Sequence, residues 1–462
     1  MKKSKILGKD ENGIQLSMTT KDFLGDGAAT IALNSITTLI GMLTYFYTDK
    51  VGLSAAAAGT VILVAKVLDA VTDLFMGRIV DGTKSKYGKV RPWFLWMSIP
   101  TVISIIALFT IPAGASNGIK TIYALITNTT VTAIVYTAIA IPYASLIAVR
   151  TRSIQERSKM GITRAVFGYL IGMIIVIGLV PITNLLGGDQ RAWIIVAVFF
   201  GVLSGLALMV TFKASKEENQ GVALSDKTKD EETLTMKQSL KYLFSNKYWV
   251  IMLFAQVAVN MIYSISGSTG VYYTKYILMN DNLVAVFGAV GLIPVFVGFG
   301  ITGPMIKKFG LAKTTRIAFI IGILANTVRI FMPYSFIAAL VFGSLSTFAT
   351  IPMMAVGGVL VNNTIEYGEW KYGKKIVGMT NSANSFGAKV GSGLGAAIIG
   401  WVLAFGNYNG LLAVQEPSAI FSILSLSIYI PLILIVVLYI LMRRYDLDDK
   451  YQMIVTELQN RK

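Results

Sequence analysis

Apolar runs about as long as a bilayer is thick recur along this chain, separated by short polar loops. A hydrocarbon core of about 30 Å takes about 20 apolar residues in helical form. That rule predicts twelve membrane-spanning helices, over 27–48, 54–79, 93–115, 121–149, 161–186, 192–212, 248–276, 282–306, 315–333, 335–362, 376–406 and 418–442. The head MKKSKILGKDENG is polar, and no short apolar core with a small-residue cleavage site follows it. The first run therefore reads as an uncleaved helix.

The loops set the orientation. Lys84, Lys86, Lys89 and Arg91 follow the second run; Arg150, Arg152, Arg157 and Lys159 the fourth; Lys307, Lys308, Lys313 and Arg316 the eighth; Lys371, Lys374 and Lys375 the tenth. The intervening loops TDKVGLS, LGGDQR and MNDN are poor in basic residues. The positive-inside rule then places both termini in the cytoplasm of a protein of the cell membrane. A long polar stretch, KASKEENQGVALSDKTKDEETLTMKQ, divides the chain. We expect a six-helix bundle over 1–212, a cytoplasmic linker over 213–247, a second bundle over 248–442 and a tail over 443–462. IAIPYASLIAV in the fourth run has a counterpart in ATIPMMAVGGVLV in the tenth, and GITR at 161 in GMTN at 378, as an internal duplication requires. The expected fold is all-α, two pseudo-symmetric six-helix bundles.

Composition supports this picture and narrows the chemistry. Of 462 residues, 54% are hydrophobic and 14% charged, well under the quarter usual for soluble domains. The net charge of +17 is assigned to cytoplasmic loops, with no nucleic-acid partner. Cysteine and histidine are absent, which excludes disulfides, thiolate or zinc-type sites and histidine proton relays. No Walker motif is present to use ATP. GSGLGAAIIG at 391 superficially matches a dinucleotide loop, but no strand precedes it, and close helix packing is the better reading.

Within VAKVLDAVTDLFMGRIVDG, Lys66, Asp69 and Asp73 fall on one helical stripe. A charge at mid-bilayer costs about 2.5–3.5 kcal/mol on insertion scales, so such groups face a bundle interior or a wet cavity. A structural ion pair of Lys66 with one acid leaves the other unaccounted for. Two carboxylates this close resist joint ionisation unless a cation joins them, and a proton or Na⁺ suits oxygen ligands. Asn34, Thr137, Arg164, Asn260, Asn381, Asn384 and Lys389 add polar groups to apolar runs. A single Asn or Thr can be packing glue, and Arg164 can snorkel; Lys389 lies deeper and calls for an acid, Asp69 or Asp73. Counting Lys66, Arg164 and Lys389 against only two acids, we expect a bound cation to release Lys389 from its acid partner.

The stretches VGLSAAAAGT, VAKVLDAVTDLFMGRIVDGTKSKYGKVRPW, YTAIAIPYASL, IEYGEWKYGKK and GMTNSANSFGAKVGSG resemble the glycoside-pentoside-hexuronide cation symporters of the major facilitator superfamily, over nearly the whole chain. That family includes the melibiose permease and the glucuronide and xyloside transporters. The resemblance implies uptake of a sugar or glycoside, an oligosaccharide, pentoside or glucuronide, coupled to H⁺ or Na⁺ entry by alternating access. It implies a functional monomer with no cofactor beyond the co-transported ion. Asp69, Asp73 and Thr137 match the family's cation site, with Asp69 and Asp73 as metal ligands if Na⁺ is the ion. Lys389 matches the coupling lysine, and Arg164 and Tyr136 sugar-associated positions; with Asn34, Asn381 and Asn384 they make up the expected sugar site. The melibiose permease has an acid where this chain has Ala140, and another where alignment lands on Leu33, beside Asn34. These departures point to the glucuronide and pentoside branch and lean toward H⁺. A lipid or drug carrier on the same scaffold is the alternative; a membrane-embedded enzyme lacks its expected acidic loop motif or extramembrane domain.

Overall fold

A computed structural model describes residues 8–9, 15–151, 153–217, 236–373 and 376–460. Among them, twelve helices are long and apolar enough to cross a membrane. They divide between two compact units, Met1–Asp226 and Lys227–Lys462. The first holds span 1 (Thr20–Gly41), span 2 (Ala55–Asp81), span 3 (Pro92–Phe109), span 4 (Asn117–Ile147), span 5 (Ile154–Leu185) and span 6 (Gln190–Ala214). The second holds span 7 (Lys247–Tyr276), span 8 (Leu283–Phe309), span 9 (Leu311–Phe331), span 10 (Phe336–Tyr372), span 11 (Val377–Phe405) and span 12, built from Pro417–Leu424, a π-helical turn Ser425–Tyr429 and Ile430–Arg443. Near the amino end Gly8–Lys9 pairs with Gln15–Leu16.

Side-chain caps start many of these helices by taking up backbone N–H groups that lack an intrahelical partner. Ser54, Ser116, Ser153, Asp189 and Ser335 each accept from an N–H in the first turn. Thr19 and Asp22 form a reciprocal capping box. This box starts span 1 at Thr20, seven residues before the apolar run from 27, and so brings Asp22 and Asp26 into the helix.

Packing reveals the repeat. In the first unit span 1 packs on spans 5 and 6, span 3 on span 6 and span 2 on span 4. In the second, span 7 packs on spans 11 and 12, span 9 on span 12 and span 8 on span 10. Adding six to each span number converts the first list into the second. Glycines permit the closest crossings: a Cβ on Gly205 would sit 2.6 Å from Val102 Cγ2, and one on Gly391 2.4 Å from the Val257 carbonyl oxygen. Gly395 stacks one turn further along the same seam, against Met261. GSGLG is thus a helix-packing face. Large apolar side chains such as Ile99, Ile103, Ile162 and Phe199 point outward, as lipid contact requires.

Two buried carboxylates tie loops to helix ends. Glu217 accepts N–H groups from Lys89, Val90 and Arg91 at 2.9, 2.7 and 2.7 Å. Glu156 accepts from Ser17 and Met18 at 2.8 and 2.7 Å. Of the expected linker, 218–235 lies outside the described residues, and Met236–Ser245 forms a helix. The expected tail carries a further helix, Leu447–Asn460.

Candidate functional site

Span 2 places Asp69 and Asp73 one turn apart. Asp69 is 1% exposed and Asp73 half-buried. Span 4 supplies their partner. Its π-helical stretch Thr130–Tyr136 is wound more widely than an α-helix. Thr137 follows directly, and its Oγ1 lies 3.0 Å from Asp69 Oδ1, 3.0 Å from Asp73 Oδ1 and 3.3 Å from the Thr132 carbonyl oxygen. One hydroxyl thus bridges both acids. Lys66 Nζ stands 3.9 Å from Asp69 Oδ2, a loose ion pair with a partly exposed lysine. Tyr136 is half-buried beside Thr137, within electrostatic reach of both carboxylates.

A hydroxyl has one hydrogen to donate and lone pairs to receive. Thr137 can donate to one carboxylate; its equally short contact to the other is attractive when that carboxyl carries a proton or when a cation sits between the oxygens. The arrangement is therefore suited to holding one positive charge. Among the described residues no group of three or more Asp, Glu, His or Cys gathers, so a metal cation here would draw its remaining ligands from neutral oxygens.

A second polar cluster lies about 9 Å further along span 4, six residues on. Arg164 of span 5 donates Nε–H to Asp26 Oδ2 and Nη2–H to Asp26 Oδ1, both at 2.7 Å, and Nη1–H to the Tyr143 carbonyl oxygen at 2.8 Å. Its guanidinium carbon sits 3.6 Å from the Tyr143 ring centroid. The Tyr143 hydroxyl donates to the Asp26 carbonyl oxygen at 2.9 Å and lies 2.7 Å from Thr30 Oγ1. Asn34 Nδ2 donates to the Thr30 carbonyl oxygen at 3.0 Å. A Cβ on Gly168 would come within 3.0 Å of Asn34 Nδ2, so glycine there lets spans 1 and 5 close around this network.

This corrects two expectations. Arg164 does not snorkel: it is 9% exposed and bonded through three of its N–H groups. The buried acids of the first unit also gain a member, Asp26, which pairs with Arg164. The apolar run from 27 stops one residue short of Asp26 and so hides it; the capping signal TTKD at 19–22 marks the true helix start.

The other candidates occupy span 11 of the second unit. Asn381 is exposed, Asn384 half-buried one turn later on the same stripe, and Lys389 half-buried further along. Asn260 bonds back to the Gln256 carbonyl oxygen at 2.8 Å, a helix-internal role. The structure thus joins Asp69, Asp73 and Thr137, joins Arg164 to Asp26, and sets Asn34 against Gly168, two turns beyond Asp26 on span 1.

Twelve apolar spans, an internal six-span repeat and ionisable groups buried between helices define a multi-pass transporter of the major facilitator fold, not an enzyme. A solved bacterial homolog of the human lysosomal transporter Spinster, in its inward-facing unoccupied form, has that fold: TM-score 0.67 at 13% identity, covering 93% of this chain and 97% of the other. The nucleoside transporter NupG matches at TM-score 0.61 and 12% identity, covering 93% of this chain and 100% of the other. The family model described as MFS/sugar transport protein matches residues 24–449, and the chain belongs to this family, in its glycoside-pentoside-hexuronide branch. An uncharacterized symporter, YnaJ, of Bacillus subtilis (strain 168) is 33% identical over 461 residues, 98% of this chain and 96% of the relative. The isoprimeverose transporter of Lactiplantibacillus pentosus is 30% identical over 399 residues, 83% and 79% of the two chains.

Proposed function

We propose that this chain is a cation-coupled symporter that takes up a sugar or glycoside across the cell membrane by alternating access, with both termini in the cytoplasm and a single chain as the working unit. The observation that carries the proposal is the Thr137 hydroxyl held between Asp69 and Asp73. The coupling ion occupies that triad. Ala140 leaves this part of span 4 without the acid of the melibiose permease, which thins the ligand set for Na⁺, so H⁺ is the ion we assign.

Sugar hydroxyls meet the Asp26–Arg164 pair of the first unit, with Asn34 and Tyr136; Asn381 and Asn384 are the proposed sugar-binding residues of the second unit. The Arg–Asp fork and the Tyr143 carbonyl together take three guanidinium hydrogens and leave two N–H donors and carboxylate lone pairs for hydroxyl groups. Its neutral sum favours an uncharged glycoside or pentoside over a glucuronide. Lys389 is the coupling residue. Within the first unit Asp26, Asp69 and Asp73 oppose Lys66 and Arg164, so one bound cation brings that set to neutrality, and the lost negative charge is the signal Lys389 answers.

One charge moving through 100 mV supplies about 2.3 kcal/mol, which sustains roughly a 50-fold sugar gradient. The test is uptake into proteoliposomes of a panel of radiolabelled pentosides, neutral glycosides and glucuronides, under an inward proton gradient or an inward Na⁺ gradient. We expect accumulation that a protonophore abolishes, and Lys389→Ala to equilibrate sugar without concentrating it. Accumulation indifferent to both ion gradients overturns the proposal; uphill uptake by Lys389→Ala removes Lys389 from it.

A further inference from the structure

We propose that the second unit holds a buried binding site for a small monovalent anion of the halide class, centred on Arg329 in the last turn of span 9. Nothing in the transport reading uses this residue, and the site stands on its own geometry.

Arg329 is 8% exposed. Its Nη1–H donates to the Ser427 carbonyl oxygen at 3.1 Å, and its guanidinium carbon lies 5.7 Å from the Tyr273 ring centroid. The Tyr273 hydroxyl spends its hydrogen on the Pro333 carbonyl oxygen at 2.5 Å and turns lone pairs toward the cation. These are neutral partners. Among the described residues no carboxylate pairs with Arg329, whereas the buried Arg164 of the first unit is met by Asp26 through two N–H groups. The carbonyls at the end of span 9 offer partial negative charge, but a buried guanidinium calls for a full one.

The surroundings are built to receive it. Ser427 sits in the middle of the π-helical turn Ser425–Tyr429, whose wider winding turns its carbonyl to Arg329. The Arg329 Nε–H and Ser427 Oγ are both fully buried and both lack a hydrogen-bond partner. They are two donors, one on the cation and one on the residue it holds. On the Nη1 side span 10 presents Gly343, where an added Cβ would lie 4.0 Å from Arg329 Nη1. One turn from Gly343, Ser346 accepts from Asn326 Nδ2 at 2.7 Å, while Asn326 Oδ1 is buried and unbonded, an acceptor suited to a water shared with the ion. Water alone satisfies donors but leaves the charge; a halide does both. With a single cation at the site, a divalent anion would carry an uncompensated charge into an apolar core, which selects for charge one.

The test compares the full-length protein in detergent in sodium chloride, bromide and gluconate at equal Na⁺ and ionic strength. Chloride and bromide at 100-fold excess over their dissociation constant are expected to raise the unfolding midpoint by about 5–10 °C over gluconate, saturably. Arg329→Gln is expected to abolish the difference. Ser427→Ala keeps the cation and its carbonyl contact, so it folds even if the first variant does not; it should raise the half-saturating chloride concentration by about tenfold. Line broadening of ³⁵Cl resonances by the wild type, weakened in Ser427→Ala, gives a direct readout. Equal midpoints in chloride and gluconate, or a chloride response that neither substitution changes, overturns the proposal and leaves Arg329 as a helix-end ligand with ordered water only.

Discussion

Thr137 Oγ1 has three oxygen neighbours within 3.3 Å and one hydrogen to share among them. Thr137→Val keeps the shape and removes the hydroxyl. A hydrogen bond to a charged group is worth about 1.5–3 kcal/mol, so the half-saturating cation concentration for uptake should rise at least tenfold, with the unfolding midpoint nearly unchanged and Thr137→Ser restoring function. An unaltered cation dependence in Thr137→Val would detach the hydroxyl from the site. The Asp26–Arg164 pair makes a different prediction. Removing either partner leaves a buried charge uncompensated, at about 3–5 kcal/mol; Asp26→Asn and Arg164→Met should each lower thermal stability sharply, and the double variant should regain part of it. Additive losses on a double-mutant cycle would show that the two residues act independently. Asp69 and Asp73 were legible because two acids at helical spacing interrupt an apolar run. Asp26 was not, since it sits at the edge of one, where hydropathy assigns it to the solvent and only the cap betrays the helix.

Helices add what residue spacing cannot show. The π-helical stretch Thr130–Tyr136 determines where Thr137 points, yet TVTAIVY reads as ordinary apolar helix; the extra winding depends on packing against span 2 and leaves no periodicity to detect. Glu217 and Glu156 were likewise hidden, because a carboxylate that gathers backbone N–H groups from a distant loop looks like any surface acid in sequence. The glycine seam of span 11 was readable from its small residues. It supports a prediction at this scale: Gly391→Val drives a side chain into the Val257 carbonyl at 2.4 Å, so spans 7 and 11 must separate. Overpacking of this kind costs about 1–3 kcal/mol, read as a lower unfolding midpoint with reduced uptake. A variant as stable and active as the parent would mean the seam is looser than drawn.

At the scale of the molecule, the twofold internal repeat appears in which spans pack on which, far more clearly than in the short matches between IAIPYASLIAV and ATIPMMAVGGVLV. Helix-packing partners survive divergence that erases sequence likeness, because any apolar residue of suitable size maintains them. The repeat has nonetheless been furnished unequally: the acids and their bridging threonine lie in the first unit, Lys389 and the unneutralised Arg329 in the second. Coupling of ion to sugar is the claim on which the functional account depends, and sugar-stimulated proton entry into proteoliposomes, recorded for the parent protein and for Asp69→Asn, tests it most directly. The account predicts proton entry on sugar addition for the parent and none for Asp69→Asn, which still inserts and folds. Equal sugar-dependent proton entry by both proteins would contradict it.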